Sequence, residues 1–143
     1  MEKIIINSKR YFELQDYEGE FWKEIKDYED NYKISNYGRI KSIKGKDNKE
    51  KILKPYLNKK NGYYLCALCN NGKVKQKLVH RIVYYTFNNC EETDVIDHID
   101  GNKYNNKLDN LQNITQKQNV KKYYNYDKKK RDFIKKIYEL TKH

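Results

Sequence analysis

A chain of 143 residues and 17.5 kDa holds one domain's worth of core or two very small modules, so a large multidomain enzyme is excluded. Apolar residues make up 37% and charged residues 36%, but fifteen Tyr lift the aromatics to 14%, enough for a folded protein with thin hydrophobic layers and against a disordered one. A net charge of +11, with a pI near 9.4, points first to a polyanionic partner such as nucleic acid.

The charge needs a discount, because Lys, Asn, Tyr and Ile account for 73 residues and have the codons richest in A and T. Its placement is more informative. Residues 1–30 carry 5 basic and 9 acidic side chains, residues 31–60 carry 10 and 2, and residues 116–143 carry 10 and 3. Two basic tracts thus flank a nearly neutral middle. No apolar run approaches the roughly 20 residues of a membrane span, and Ile4 to Ile6 is too short for a signal peptide. Three cysteines cannot all pair, which suits a reducing, intracellular setting with no membrane partner.

In chain order, Tyr32 and Ile34 alternate with polar residues, Asn36-Tyr37-Gly38 supplies a turn, and Arg39 to Ile43 alternates again, which predicts a small β-hairpin. Residues 44–51 contain no apolar side chain and read as an exposed loop. Tyr63 to Cys69 and Lys73 to Val79 flank Asn71-Gly72, the dipeptide of a two-residue type I′ turn, and predict a second hairpin. On its return strand Val74 and Leu78 fall on one side and Lys73, Lys75 and Lys77 on the other, a face that is either solvated or in contact with phosphate. Arg81 to Phe87 reads as a short helix, Val95 to Ile99 as a strand, and Leu111 to Thr115 as another beyond an Asn-rich loop. Gln116 to Tyr126 is compatible with helix, and from Asp127 onward Phe133, Ile134, Ile137, Tyr138 and Leu140 make the apolar stripe of a basic amphipathic helix.

The chemistry concentrates in Asp97-His98-Ile99-Asp100-Gly101-Asn102, followed by Asn105-Asn106, Asn110-Leu111 and Asn119. Neighbouring strand residues point to opposite faces, so a site that uses both Asp97 and His98 needs a strand end or a twisted hairpin edge. Asn119, on the following helix, is in reach of that hairpin. A carboxylate and an amide oxygen are hard ligands, matched to Mg²⁺ or Mn²⁺ better than to zinc. Cys66 and Cys69, with His80 and Cys90, have the residue types of a zinc site, but on a strand the first two face opposite sides. They fit better as small buried or half-buried residues, and no structural zinc is expected. Asp100 reads as a turn residue, His80 as structural, and Asn105 and Asn106 as loop stabilisers.

The stretch VIDHIDGNKYNNKLDNLQNITQKQN resembles the ββα-metal motif of HNH endonucleases, in the subgroup found among phage intron homing enzymes. Upstream, FWKEI, NYKISNYGRIKS, ILKP, GYY and VHRIV resemble the nuclease-associated modular DNA-binding segment that commonly precedes it. The resemblance spans Phe21 to Asn119. With the helix read from the apolar stripe, it implies an α+β chain: an N-terminal β-rich DNA-binding module over residues 1–60, a ββα-metal nuclease domain over 61–126, and, beyond the resemblance, the basic helix over 127–143. It also implies hydrolysis of a DNA phosphodiester, with Asp97 and Asn119 holding one divalent ion, His98 taking the proton from water, and Asn110 holding His98 by a hydrogen bond. The Asn119 position, where the archetypal motif has His, favours a hard ion. Arg39 and Lys41, beside the Gly38 turn, read as phosphate contacts, joined by Lys73, Lys75, Lys77, Lys121 and Lys122, while Trp22, Tyr28 and Tyr32 read as packing. One catalytic set per chain implies a nick in double-stranded DNA by a monomer, and a homodimer or sequential events for a double-strand break. The alternative is a non-catalytic DNA-binding regulator on the same scaffold, which plasmid relaxation with Mg²⁺ discriminates.

Overall fold

The computed structural model describes residues 2–43, 47, 49–88 and 95–114. Within them the strand-rich N-terminal region precedes a helix and a final hairpin. Strands β1 (Trp22–Glu24), β2 (Tyr32–Ser35), β3 (Ile40–Ser42) and β4 (Lys51–Ile52) form an antiparallel sheet in that order. The expected first hairpin is therefore the centre of a larger sheet. Its turn uses Gly38 at φ 89°, with the Ser35 hydroxyl accepting from the Tyr37 and Arg39 amides.

Strands β5 (Tyr56–Leu57), β6 (Tyr64–Asn70) and β7 (Lys73–Leu78) form a second antiparallel sheet. Asn71 and Gly72 both adopt positive φ, 52° and 75°, as the type I′ turn requires. The register pairs Cys66 with Lys77, Leu68 with Lys75 and Asn70 with Lys73. Directly opposed residues share a face, so the lysines project on the same side as the buried Cys66 and Leu68. That side is not a purely solvated one, as the alternation of β7 alone suggests. β7 is an edge strand, and Lys77, half-buried, has its Nζ 5.8 Å from the centre of the Tyr28 ring. Val74 is on the outer face and is 65% exposed.

Helix α1 (Val79–Phe87) buries Val79, Ile82, Val83 and Thr86, a stripe at helical spacing that outweighs the weak helix propensity of its β-branched and aromatic residues. Strands β8 (Val95–His98) and β9 (Leu111–Ile114) pair antiparallel. One core joins the two sheets, the helix and the last hairpin: Ile25 and Tyr28 from the β1–β2 connection, Ile34 and Ile40 from the first sheet, Cys66 and Leu68 from the second, Val79, Ile82 and Val83 from the helix, and Ile96 and Leu111 from the last hairpin. The other face of the first sheet, carrying Trp22, Lys41 and Ile52, is covered by residues ahead of β1. Tyr11 and Tyr17 are buried there.

Arg39 departs from the sequence expectation. Its side chain is fully buried, its Nε donates to Glu20 Oε2 at 2.9 Å, and a second bond joins the guanidinium to Glu20 Oε1. The remaining N–H groups donate to the carbonyls of Tyr11, Glu13 and Gln15 at 2.9, 2.7 and 3.1 Å. A phosphate has no donor left to meet, so Arg39 is a strut and not a DNA contact. Lys41 is corrected likewise: its stem is buried, with Nζ 4.1 Å from the centre of the Trp22 ring and 3.6 Å from Glu50. The expectations for residues 44–46 and for the stretch from 115 to the C-terminus, including Asn119, Lys121, Lys122 and the amphipathic helix, lie outside the described residues, as does Cys90.

Candidate active site

His98 is the last residue of β8, where alternation gives way to a turn, and this lets both members of the Asp97-His98 pair be used. Both are buried. Asp97 pairs with Gln112 across the hairpin, and Gln112 Nε2 donates to Asp97 Oδ2 at 3.2 Å. The chain then reverses through Gly101, at φ 74°, whose amide donates to the His98 carbonyl at 2.9 Å.

The Asn-rich loop is held by its own amides. Asp100 Oδ1 accepts from the Asn102 amide and Asn110 Nδ2, and Asp100 Oδ2 accepts from Asn105 Nδ2, all at 2.8–2.9 Å. Asn110 also donates to the Asn105 carbonyl and accepts from the Asp100 amide. Burial works to raise the Asp100 carboxyl, but the bonds from Asn105, the Asn102 backbone and Asn110 outweigh it and keep it below the usual carboxylate range. Asp100 is thus the hub of a turn, as the sequence suggests. Asn110 is not the residue that holds the His98 ring: both its amide hydrogens and its oxygen go to the loop.

That role falls to Asn106, whose Oδ1 lies 2.8 Å from His98 Nε2. An amide oxygen only accepts, so this pairing puts the proton on Nε2 and leaves Nδ1 as the basic nitrogen. Burial drives the imidazole below its ordinary value, against the opposing pull of Asn106, Asp100 and Asp97. His98 is therefore neutral near pH 7. Asn106 is itself set by the first sheet, since Gly38 lies so close that a Cβ there would stand 3.1 Å from Asn106 Cβ, and the Leu108 amide donates to the Asn36 carbonyl at 2.8 Å. In sequence Asn106 is one of a pair of loop asparagines with nothing to distinguish it.

His80 is buried, and Tyr63 stacks on it. Burial, then the neighbouring His98 and Arg81, push the His80 imidazole down to about 3, so it is neutral. Cys66 is buried, with its thiol pushed up to about 11 by burial, and Cys69 is exposed, consistent with opposite faces of one strand. Lys73 and Lys75 are exposed and Lys77 is half-buried. Among the described residues no helix is long and apolar enough to cross a membrane.

As a metal site the described donors are hard. Asp97 offers a buried carboxylate oxygen next to a neutral imidazole, and no thiolate faces it from the neighbouring strand residues. This fits a divalent ion that prefers oxygen.

Residues 77–121 match the model of the HNH endonuclease family, and residues 20–69 match the NUMOD4 motif. The chain belongs to the HNH endonucleases. It is 46% identical over 101 residues to DNA endonuclease I-HmuI of Bacillus phage SP01, covering 69% of this chain and 55% of that enzyme. It is 42% identical over 100 residues to an uncharacterized HNH endonuclease of Acanthamoeba polyphaga mimivirus, covering 69% of this chain and 28% of the relative. The solved structure described as DNA binding and cleavage by the HNH homing endonuclease I-HmuI superposes with a TM-score of 0.67 at 41% identity, over 83% of this chain and 68% of that one. The chain thus spans about half or less of the length of these curated relatives. Enzymes of this family generally use a divalent metal ion.

Proposed function

We propose that the protein is an HNH DNA endonuclease of the homing or nicking kind, in which His98 is the general base. The observation that carries this reading is the buried imidazole fixed by Asn106 at the end of β8, directly after a buried carboxylate. With its proton on Nε2, His98 takes a proton from water at Nδ1, and the water attacks the scissile phosphorus. Asp97, together with Asn119, would hold the divalent ion, for which the hard donors favour Mg²⁺ or Mn²⁺. A bound ion supplies neutralisation of the charge that develops on the phosphate and the departing oxygen. Asn110 contributes by fixing the loop that carries Asn106.

The partner is double-stranded DNA. Lys73, Lys75 and Lys77, with Lys121 and Lys122, are the proposed phosphate contacts, whose role is positioning and whose contribution weakens with salt. One catalytic set per chain makes a single-strand nick by a monomer the expected event.

Relaxation of supercoiled plasmid in Mg²⁺, with and without EDTA, tests the reading. Nicking that depends on the ion and is lost in His98→Ala, while a mobility shift on duplex DNA persists, is the expected result. A wild-type chain that shifts DNA and never nicks it would make the protein a binding protein on a nuclease scaffold.

A further inference from the structure

Three aromatic rings meet at the Asp97-His98 pair, and the proposed reaction uses one of them. The His98 ring centre lies 4.8 Å from that of His80 and 6.0 Å from that of Tyr63, with the Tyr63 and His98 planes 21° apart. Tyr63 also stacks on His80 at 5.0 Å, 27° between planes. The rings come from three separate places in the chain: just ahead of β6, the first turn of α1, and the end of β8. Tyr63 is in turn fixed by Lys103, whose Nζ donates to the Asn61 carbonyl at 2.6 Å and stands 4.7 Å from the Tyr63 ring centre.

The bond to Asn106 fixes the place of His98 Nε2, but a hydrogen bond at one ring atom allows the plane to tilt about it. Contacts on the ring faces remove that freedom. We propose that Tyr63 and His80 are positioning residues for His98: they form an aromatic bed that fixes the imidazole plane and keeps Nδ1 aimed at the attacking water. The inference rests on His98 being the general base and goes on to name what orients it.

The test measures the single-turnover nicking rate of the full chain in Mg²⁺ at saturating duplex DNA, beside DNA affinity without metal and the melting temperature. Tyr63→Leu and His80→Ala should slow the cutting step by about 10- to 100-fold, the scale expected for a misaligned reacting group, with affinity changed less than about twofold. Tyr63→Phe and His80→Phe restore a ring and should recover most of that loss. In nitrogen-15 spectra of the imidazole, the single His98 tautomer of the wild type should give way to averaged signals in Tyr63→Leu. If His80→Ala does not fold, Tyr63→Leu, at a half-buried position, carries the test alone. Wild-type cutting by Tyr63→Leu, a Phe variant as slow as the ringless one, or rate and affinity falling together would overturn the inference. His98→Ala separates the two levels. If it is inactive while Tyr63→Leu and His80→Ala cut normally, only the aromatic bed is wrong, whereas a His98→Ala that cuts like wild type removes the general base and this inference with it.

Discussion

The five N–H groups of Arg39 all donate inside a fully buried pocket, two of them to Glu20 and three to the carbonyls of Tyr11, Glu13 and Gln15. Replacing Arg39 by Met strands a buried carboxylate and three carbonyls. A loss of about 3–5 kcal/mol is expected, read as a lower urea midpoint, with part of it recovered in Arg39→Met combined with Glu20→Leu. The salt dependence of DNA binding should be the same as wild type in any variant of Arg39 that folds. His80 allows a second prediction, this time in pH. Its folded value, about 3, lies below the roughly 6.5 of an unfolded chain, so between those values the unfolded state binds a proton that the folded state does not. Stability from this residue is complete above about 6.5 and is lost as pH falls, by at most about 1.4 kcal/mol per pH unit. His80→Phe removes the term, so the gap in urea midpoint between wild type and variant should shift in favour of the variant from pH 7 to pH 5. A gap independent of pH would show that His80 takes up its proton in the fold as it does in the unfolded chain. At this scale the sequence was readable where adjacency decides placement, as for Asp97 and His98, which lie together and buried at the end of β8. It was not readable for Arg39, because backbone carbonyls are its partners and they leave no trace in side-chain spelling.

Among the elements, turns carried the strongest local signal. Asn71-Gly72 marked the β6–β7 hairpin, and the spacing of Val79, Ile82, Val83 and Thr86 shows afterwards why α1 starts two residues earlier than Arg81. Which face a strand buries was harder. The alternation of β7 separates lysines from Val74 and Leu78, but only the pairing with Cys66 and Leu68 decides that the lysine side is the one toward the core. The β2–β3 turn has a role that no local pattern announces: Gly38, with φ 89°, lies against Asn106, and Asn106 holds His98. Gly38→Ala adds a Cβ in a left-handed conformation and within 3.1 Å of Asn106 Cβ, so Asn106 must move. Nicking at saturating DNA should fall about 10- to 100-fold, with little change in DNA affinity. An unchanged rate would mean that the first sheet does not set the base. The β7 lysines should behave in the opposite way. Alanine at Lys73, Lys75 and Lys77 together should weaken DNA binding and flatten the slope of log affinity against log salt by about 0.9 for each phosphate that the lysines no longer neutralise, without slowing the cutting step. An unchanged slope would return them to the role of solvated edge residues.

Across the molecule, the two matched segments meet in one hydrophobic core. Composition and motif order suggest a module ending near residue 60 followed by a nuclease domain, and both motifs are present in that order. Sequence reading has no access to what lies between motifs, whereas the core runs without a break from Ile25 and Ile34 through Leu68 and Val83 to Ile96 and Leu111. A polar tie adds to it, with the Leu108 amide donating to the Asn36 carbonyl at 2.8 Å. A core shared in this way leaves neither segment with enough buried apolar surface of its own, so loss of one exposes the other. The described segments should therefore unfold together. The single Trp of the chain, Trp22 in β1, reports on the first sheet, and the imidazole C2–H resonance of His98 reports on the last hairpin. Both should follow one urea transition with the same midpoint and slope, the behaviour of a two-state domain. A His98 signal that disappears at a lower urea concentration than the Trp22 change would instead mean that the nuclease hairpin opens while the first sheet stays folded, and that the packing of Ile96 and Leu111 in the core contributes little to holding the catalytic residues in place.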